Sequence, residues 1–241
     1  MSPARRRPGP VLLDRREALA LLGAGTALAA GCAVQPEGAT CLRTPALTAG
    51  PYWVDAQLER SDLRGDTRGR SDPRPGVPLT MEVIVKAASL DGCLPVRGAR
   101  VDVWHCDAMG LYSDVPGSGT GDSDFLRGYQ VTDVAGRVAF TTIYPGWYAG
   151  RAVHVHAKVR LFDAWGEVST EKSTQLFFDD AFTDAVHATA AYAGHGRRDT
   201  PNVADAIFSG TAPVVALEGD PAGAIRGRVE LAIEIGDVHP R

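Results

Sequence analysis

Residues 151–156 read RAVHVH. His154 and His156 are two positions apart, and in a strand side chains at i and i+2 share a face, so the two imidazoles project together. Val153, Val155, Ala157 and Val159 take the opposite face and read as core. Lys158 and Arg160 continue the histidine face, which makes a solvated strand face the competing reading. Imidazole is the commonest metal ligand. Zinc would want a further His, Cys or carboxylate, and an iron(II) facial triad a carboxylate close by; neither pattern is present at HVH. Tyrosine is present: Tyr144 and Tyr148 just upstream, and Tyr112 in CDAMGLYSD. A free phenol has a pKa of about 10, so only a strongly Lewis-acidic cation displaces its proton near neutral pH. Iron(III) does so, and phenolate is a hard anionic oxygen that suits it. Two phenolates and two neutral imidazoles would leave a ferric centre with one residual positive charge and a preference for further anionic oxygen ligands.

Such residues need a rigid frame. LTMEVIVK (79–86) alternates Leu79, Met81, Val83 and Val85 against Thr80, Glu82, Ile84 and Lys86. ARVDVWH (99–105) alternates Val101, Val103 and His105 against Arg100, Asp102 and Trp104. Further strands are expected at 128–132, 137–142, 153–161, 174–178 and 226–235, punctuated by turn signals at Asp91-Gly92, Ala135-Gly136 and Pro145-Gly146. Many short strands between turns predict an all-β, antiparallel β-sandwich. One or two short helices accompany it, with a helical stretch at 180–193 capped by Asp179 or Asp180. Residues 32–75 are polar and turn-rich and read as an N-terminal arm, with the sandwich domain spanning 76–241.

The chain has 241 residues and a formal net charge of −4. Its basic residues crowd the start, leaving an acidic body, and no basic stripe with interleaved aromatics stands out; nucleic acid is excluded as a partner. Residues 1–31 carry Arg5, Arg6, Arg7 and the Arg15-Arg16 pair before an apolar run from Ala18 to Ala30, too short to span a bilayer comfortably. This resembles a twin-arginine export signal. Leu28-Ala29-Ala30-Gly31-Cys32 resembles a lipoprotein cleavage box, with Ala29 where leucine is usual. A lipid on Cys32 would be the route to membrane attachment. The expected location is outside the cytoplasm, secreted or in the cell envelope. There Cys41, Cys93 and Cys106 would meet oxidising conditions, predicting one disulfide among them and one free thiol, with the pairing open.

The segments GPYW (50–53), PVRGARVDVWHCDAMGLYS (95–113), FLRGYQVTDVAGRVAFTTIYPGWY (125–148), RAVHVH (151–156) and TQLFF (174–178) together resemble the intradiol ring-cleavage dioxygenases. That group includes catechol 1,2-dioxygenase and protocatechuate 3,4-dioxygenase. The resemblance spans roughly residues 41–235, and GxYS, PxxY and RxxHxH in this order are specific as a set. It implies iron(III) as cofactor, held by Tyr112 and His154 as equatorial ligands and by Tyr148 and His156 as axial ones, Tyr148 leaving when substrate binds. It implies that Arg151 stabilises negative charge on the activated ring, with Gln175 beside it. It implies a catechol-type substrate and O2, both oxygen atoms entering between the two hydroxyl-bearing carbons to give a cis,cis-muconate-type product. A homo-oligomer is expected because family members commonly assemble.

Alternatives accompany each assignment. Tyr144 rivals Tyr148, though its spacing from Pro145 does not match. His105 reads as structural or as a support behind the ligands rather than a ligand itself; His187, His195 and His239 read as surface or capping residues. Tyr52, Trp53 and Trp147 could line a pocket or pack the arm. The chain lacks the long N-terminal helical segment of soluble catechol 1,2-dioxygenases, which places it nearer protocatechuate-type subunits or exported relatives. Competing function classes are a catalytically degenerate iron-binding relative, a non-enzymatic exported β-sandwich binding module, and a zinc or copper hydrolase using HVH and His105.

Overall fold

Alternating apolar residues build the strands that face the core. In the computed structural model, which describes residues 41–69, 72–89 and 92–235, β1 (Pro78–Ser89) buries Leu79, Met81, Val83 and Val85. The export signal, Cys32, Asp91 and His239 lie outside the described residues. β1 is the spine of the first sheet. On one edge it pairs antiparallel with β5 (Arg137–Ile143) and, further along, with β2 (Gly92–Pro95). On the other edge it pairs with β9 (Ile225–Ile233), which β8 (Ala216–Gly219) borders. The β1–β9 pair is parallel, a departure from the antiparallel expectation. A parallel pair needs a crossover, and here the chain between the two strands supplies it by building the whole second sheet.

That second sheet has the order β4 (Arg127–Val131), β3 (Arg100–Trp104), β6 (His154–Phe162), β7 (Val168–Phe177), all antiparallel. Val101, Val103, Val155, Ala157 and Val159 pack against Leu79, Met81, Val83, Val229 and Leu231 of the first sheet in one core cluster. Stacked faces of this kind are the layer architecture of a sandwich. β2 and β8 were not foreseen: both are four-residue edge strands with little burial, so they carry almost no apolar period to read.

The outer face of the second sheet is covered by the arm. Residues 41–69 and 72–77 form no strand of their own, but bridge to it and to β5 through Glu59–Tyr129 and Asp62–Thr141, and Leu47 N–H donates to Ser173 O at 2.9 Å. Cys41 and Cys93 form the disulfide that ties the arm to β2, and Cys106 is the buried free thiol.

The expected helix at 180–193 divides into α1 (Asp180–His187) and α2 (Ala190–Ala193). Asp179 is the cap, accepting from Phe182 N–H at 2.8 Å. The break falls at Thr189, whose extended backbone (φ −76°, ψ 160°) starts the second helix. A 3-10 turn follows at Asn202–Ala204. Among the described residues no helix is long and apolar enough to cross a membrane.

Candidate metal centre

Tyr112 and Tyr148 sit on two loops that abut. Asp107 shapes the first: its Oδ1 accepts from Met109 N–H at 2.9 Å and Leu111 N–H at 3.0 Å. Gly146, in the second, donates its N–H to Asp107 O at 3.1 Å. The loops touch at glycines. A Cβ on Gly146 would lie 2.5 Å from Asp107 O, and one on Gly110 (φ +78°) would lie 2.2 Å from Trp147 O. No other residue fits at either place. The close approach sets the two phenol rings 5.7 Å apart, edge to face. Tyr52 of the arm stacks on Tyr112 at 4.3 Å and meets the edge of Tyr148 at 6.3 Å, closing the site from the arm side.

The histidines stand at the start of β6, on the arm side of the sheet, and both are buried. His154 Nδ1–H donates to Ala152 O at 2.7 Å, which leaves Nε2 as a lone pair. That Nε2 lies 3.1 Å from the Tyr148 hydroxyl and 3.1 Å from His156 Nε2. The Trp104 indole stacks on the His156 ring at 4.9 Å and 3°, fixing its plane. The Tyr112 hydroxyl and His156 Nδ1 are buried without a hydrogen-bond partner. Burial, reinforced by the Arg151 charge, brings His154 down to about 4. Burial, then the His154 and Arg151 charges, holds His156 well below the usual imidazole range. Both imidazoles are therefore neutral, the ligating form, near pH 7. Burial pushes Tyr148 up to about 12, against the pull of the Arg151 charge; Tyr112 is driven higher by burial and by Cys106.

Four oxygen and nitrogen donors thus converge in a largely buried site, with the Tyr112 hydroxyl left unpartnered. Buried polar groups ordinarily find partners, so this set fits a cation that takes phenolate and imidazole together, as iron(III) does. Among the described residues no group of three or more His, Cys, Asp or Glu side chains is placed to hold a metal, so zinc-type donors are not assembled. His105, the proposed helper of a hydrolase site, is turned away: its ring nitrogens bond Cys106 O at 2.8 Å and Thr142 Oγ1 at 2.7 Å.

Arg151 and Gln175 lie beside the four donors. Gln175 is the cross-strand neighbour of His156. Its Oε1 accepts from Arg151 Nη2 at 2.5 Å, and its Nε2–H donates to Thr48 O at 2.9 Å. Tyr144 is not part of the group. It is buried against Phe178, and its hydroxyl bonds Thr183 Oγ1 at 2.7 Å. The solvated-face reading of β6 is also corrected. Lys158 and Arg160 are buried, because Trp53 and Asp55 of the arm cover them. Trp53 packs there and on Trp104 rather than lining the donor group.

Sequence reasoning missed the residues that brace the Tyr148 loop. Segment 179–208 runs alongside loop 144–152 and bonds it step by step. Tyr192 O–H donates to Tyr144 O at 2.6 Å, His187 Nε2–H to Pro145 O at 3.0 Å and His195 Nε2–H to Trp147 O at 2.7 Å. Trp147 Nε1–H donates to Gly196 O at 3.3 Å, and Gly150 N–H to Asp199 Oδ1 at 3.2 Å. Asp205 Oδ2 accepts from Arg151 Nε at 2.9 Å and Ala152 N–H at 2.7 Å. His187 is thus a buried brace, not a surface histidine. No local pattern marks these partners, since each bond joins residues far apart in sequence.

A dioxygenase family model matches residues 48–181. The chain belongs to the intradiol ring-cleavage dioxygenase family. It is similar to the protocatechuate 3,4-dioxygenase beta chain of Burkholderia cepacia, at 34% identity over 119 residues, 43% of this chain and 47% of that one. The match therefore spans about half the length of that relative. Among solved structures it is similar to an intradiol ring-cleavage dioxygenase from Tetranychus urticae, at 27% identity and a TM-score of 0.67, covering 83% of this chain and 98% of the other. It is also similar to the dioxygenase domain of a dioxygenase carbohydrate-binding protein fusion from Streptomyces sp. SirexAA-E, at 26% identity and a TM-score of 0.57, covering 81% and 100%.

Proposed function

We propose that this protein is an exported non-haem iron(III) dioxygenase that opens a catechol-type ring between its two hydroxyl-bearing carbons, inserting both atoms of O2 to give a cis,cis-muconate-type product. The observation that carries this reading is the meeting of His154 Nε2 with the Tyr148 hydroxyl and His156 Nε2, each at 3.1 Å, beside the unpartnered Tyr112 hydroxyl. Tyr112, Tyr148, His154 and His156 would hold the ferric ion. When bound, that ion supplies the Lewis acidity that stabilises phenolates and catecholates and draws electron density from the ring.

The chain's own residues do the rest. Tyr148 is the more exposed of the two phenols, so its oxygen is placed to take up a proton as a catechol gives one up. Arg151 presents a fixed positive charge where negative charge develops on the ring, an electrostatic role that needs no reorganisation during reaction. Gln175 holds that guanidinium from one side. Tyr52, Trp104 and the arm exclude water, which strengthens each of these interactions. The Cys41–Cys93 disulfide supports a location outside the reducing cytoplasm.

The test is a visible absorption spectrum of the iron-quantified protein, before and after adding catechol without air, followed by admission of oxygen. A tyrosinate-to-iron(III) charge-transfer band that shifts with catechol, then consumption of O2 and appearance of a muconate, is the expected sequence. A band with no product would favour the degenerate relative. A protein that stays colourless after iron(III) reconstitution would favour the binding module.

A further inference from the structure

We infer that Asp205 is a positioning residue that aims the Arg151 guanidinium into the site; this rests on the reaction proposed above. Asp205 lies beyond the residues the family model matches, in the loop after the 3-10 turn. Its side chain is fully buried against that of Arg151, which is 18% exposed. Four donors converge on the carboxylate. Oδ2 takes Arg151 Nε–H and Ala152 N–H; Oδ1 takes Ile207 N–H at 2.7 Å and Phe208 N–H at 3.2 Å. Every neighbour donates, so the group must be a pure acceptor, which an ionised carboxylate is and an amide is not. Burial works against the charge, but the Ala152 and Ile207 N–H groups and Arg151 outweigh it and hold Asp205 below its usual carboxylate range.

What this does for Arg151 follows from donor counting. A guanidinium has five N–H donors in a rigid fork. Asp205 takes the one on Nε and Gln175 takes one on Nη2, so the plane is pinned at two points. The remaining donors make no further hydrogen bond among the described residues. Both anchors stand next to the histidines: Gln175 is the cross-strand neighbour of His156, and Ala152, which Asp205 also holds, carries the carbonyl that accepts from His154 Nδ1–H. A ring oxygen or developing carbanion there would meet a donor set already aimed. With Gln175 alone, the side chain could swing about a single contact, and small misplacement of a catalytic charge is costly.

The competing explanation is that Asp205 only shapes its own turn through Ile207 and Phe208. A double-mutant cycle in the iron-loaded protein separates the two. Asp205→Asn must turn an N–H toward one of the donor pairs, so it should lower kcat by about ten- to hundredfold. KM and iron content should move little, and the same substitution in an Arg151→Ala background should cost less than twofold. An equal loss in both backgrounds would show a structural role and overturn the inference, as would an Asp205→Asn enzyme within twofold of the parent. A second measurement needs neither iron nor turnover. In the iron-free, 15N-arginine-labelled protein, the Nε–H resonance missing from Arg151→Ala should exchange slowly with water. Fast exchange in the parent chain would overturn the inference even if catechol is cleaved. Slow exchange in a protein that cleaves no catechol would leave the Asp205–Arg151 contact standing while the proposed reaction fails.

Discussion

One face of β6 carries His154, His156, Lys158 and Arg160 in succession, all buried, and its two halves are treated in opposite ways. At the Lys158–Arg160 end every charge is answered. Lys158 meets Glu171 at 2.6 Å and lies over the Trp53 ring. Arg160 reaches Asp55 at 2.8 Å and Asp102 at 3.0 Å, and Arg100 shares both acids. At the His154–His156 end the groups are neutral and their bonding is incomplete, with His156 Nδ1 and the Tyr112 hydroxyl unpartnered. Buried ions must be paired or they unfold a protein. A buried phenol left without a partner beside two neutral imidazoles fits a site that takes up a cation. The same strand face is thus a lock at one end and a socket at the other.

His154→Ala should break the socket outright. The variant should take up no stoichiometric iron(III) and show no charge-transfer band, while the iron-free protein stays folded by circular dichroism. Retention of parental iron would remove His154 from the ligand set. Arg160→Ala should break the lock instead. It leaves Asp102 with Arg100 alone, and loss of one partner of a buried pair costs about 3–5 kcal/mol, read by urea unfolding, with iron per folded molecule unchanged. If iron falls with stability, the two halves are not separable. Arg151→Ala sharpens the socket's own division of labour. Turnover should drop about a hundredfold at equal iron content, and undiminished turnover would strip Arg151 of its electrostatic role.

The smallest effect reads buried imidazole through protons. Burial lowers His105 to about 4, below the ordinary value of about 6.5 that it regains on unfolding. The unfolded chain therefore binds the proton first. The stability this imidazole contributes is complete above about pH 6.5 and is lost as pH falls toward 4. Between pH 7 and 5.5 the iron-free protein should lose roughly 1 kcal/mol from this group. His105→Gln should flatten that part of the stability profile, and an unchanged slope would show that the imidazole does not resist protonation.

Much of this was legible because it is local. The period-2 runs at 79–86 and 153–161 placed their apolar faces correctly, since alternation follows from strand geometry alone. The separations within RxxHxH and PxxY put Arg151, His154, His156 and Tyr148 within one loop and strand, and the structure brings Tyr112 to them. The solvated-face reading of Lys158 and Arg160 failed because a strand cannot announce what covers it; Asp55 and Trp53 arrive from an arm about a hundred residues away. Cys41 and Cys93 could equally have involved Cys106 until the arm brought Cys41 to β2. His187, His195 and Asp205 carried no signal, because a hydrogen bond to a distant carbonyl or guanidinium leaves no period behind. The sequence by itself determined the long strands, their apolar faces and the types of donor that chemistry would need. Only the tertiary structure decided which charges are locked, which donors are left open, and which distant side chains hold the Tyr148 loop and Arg151 in place, because burial and pairing are properties of neighbours in space.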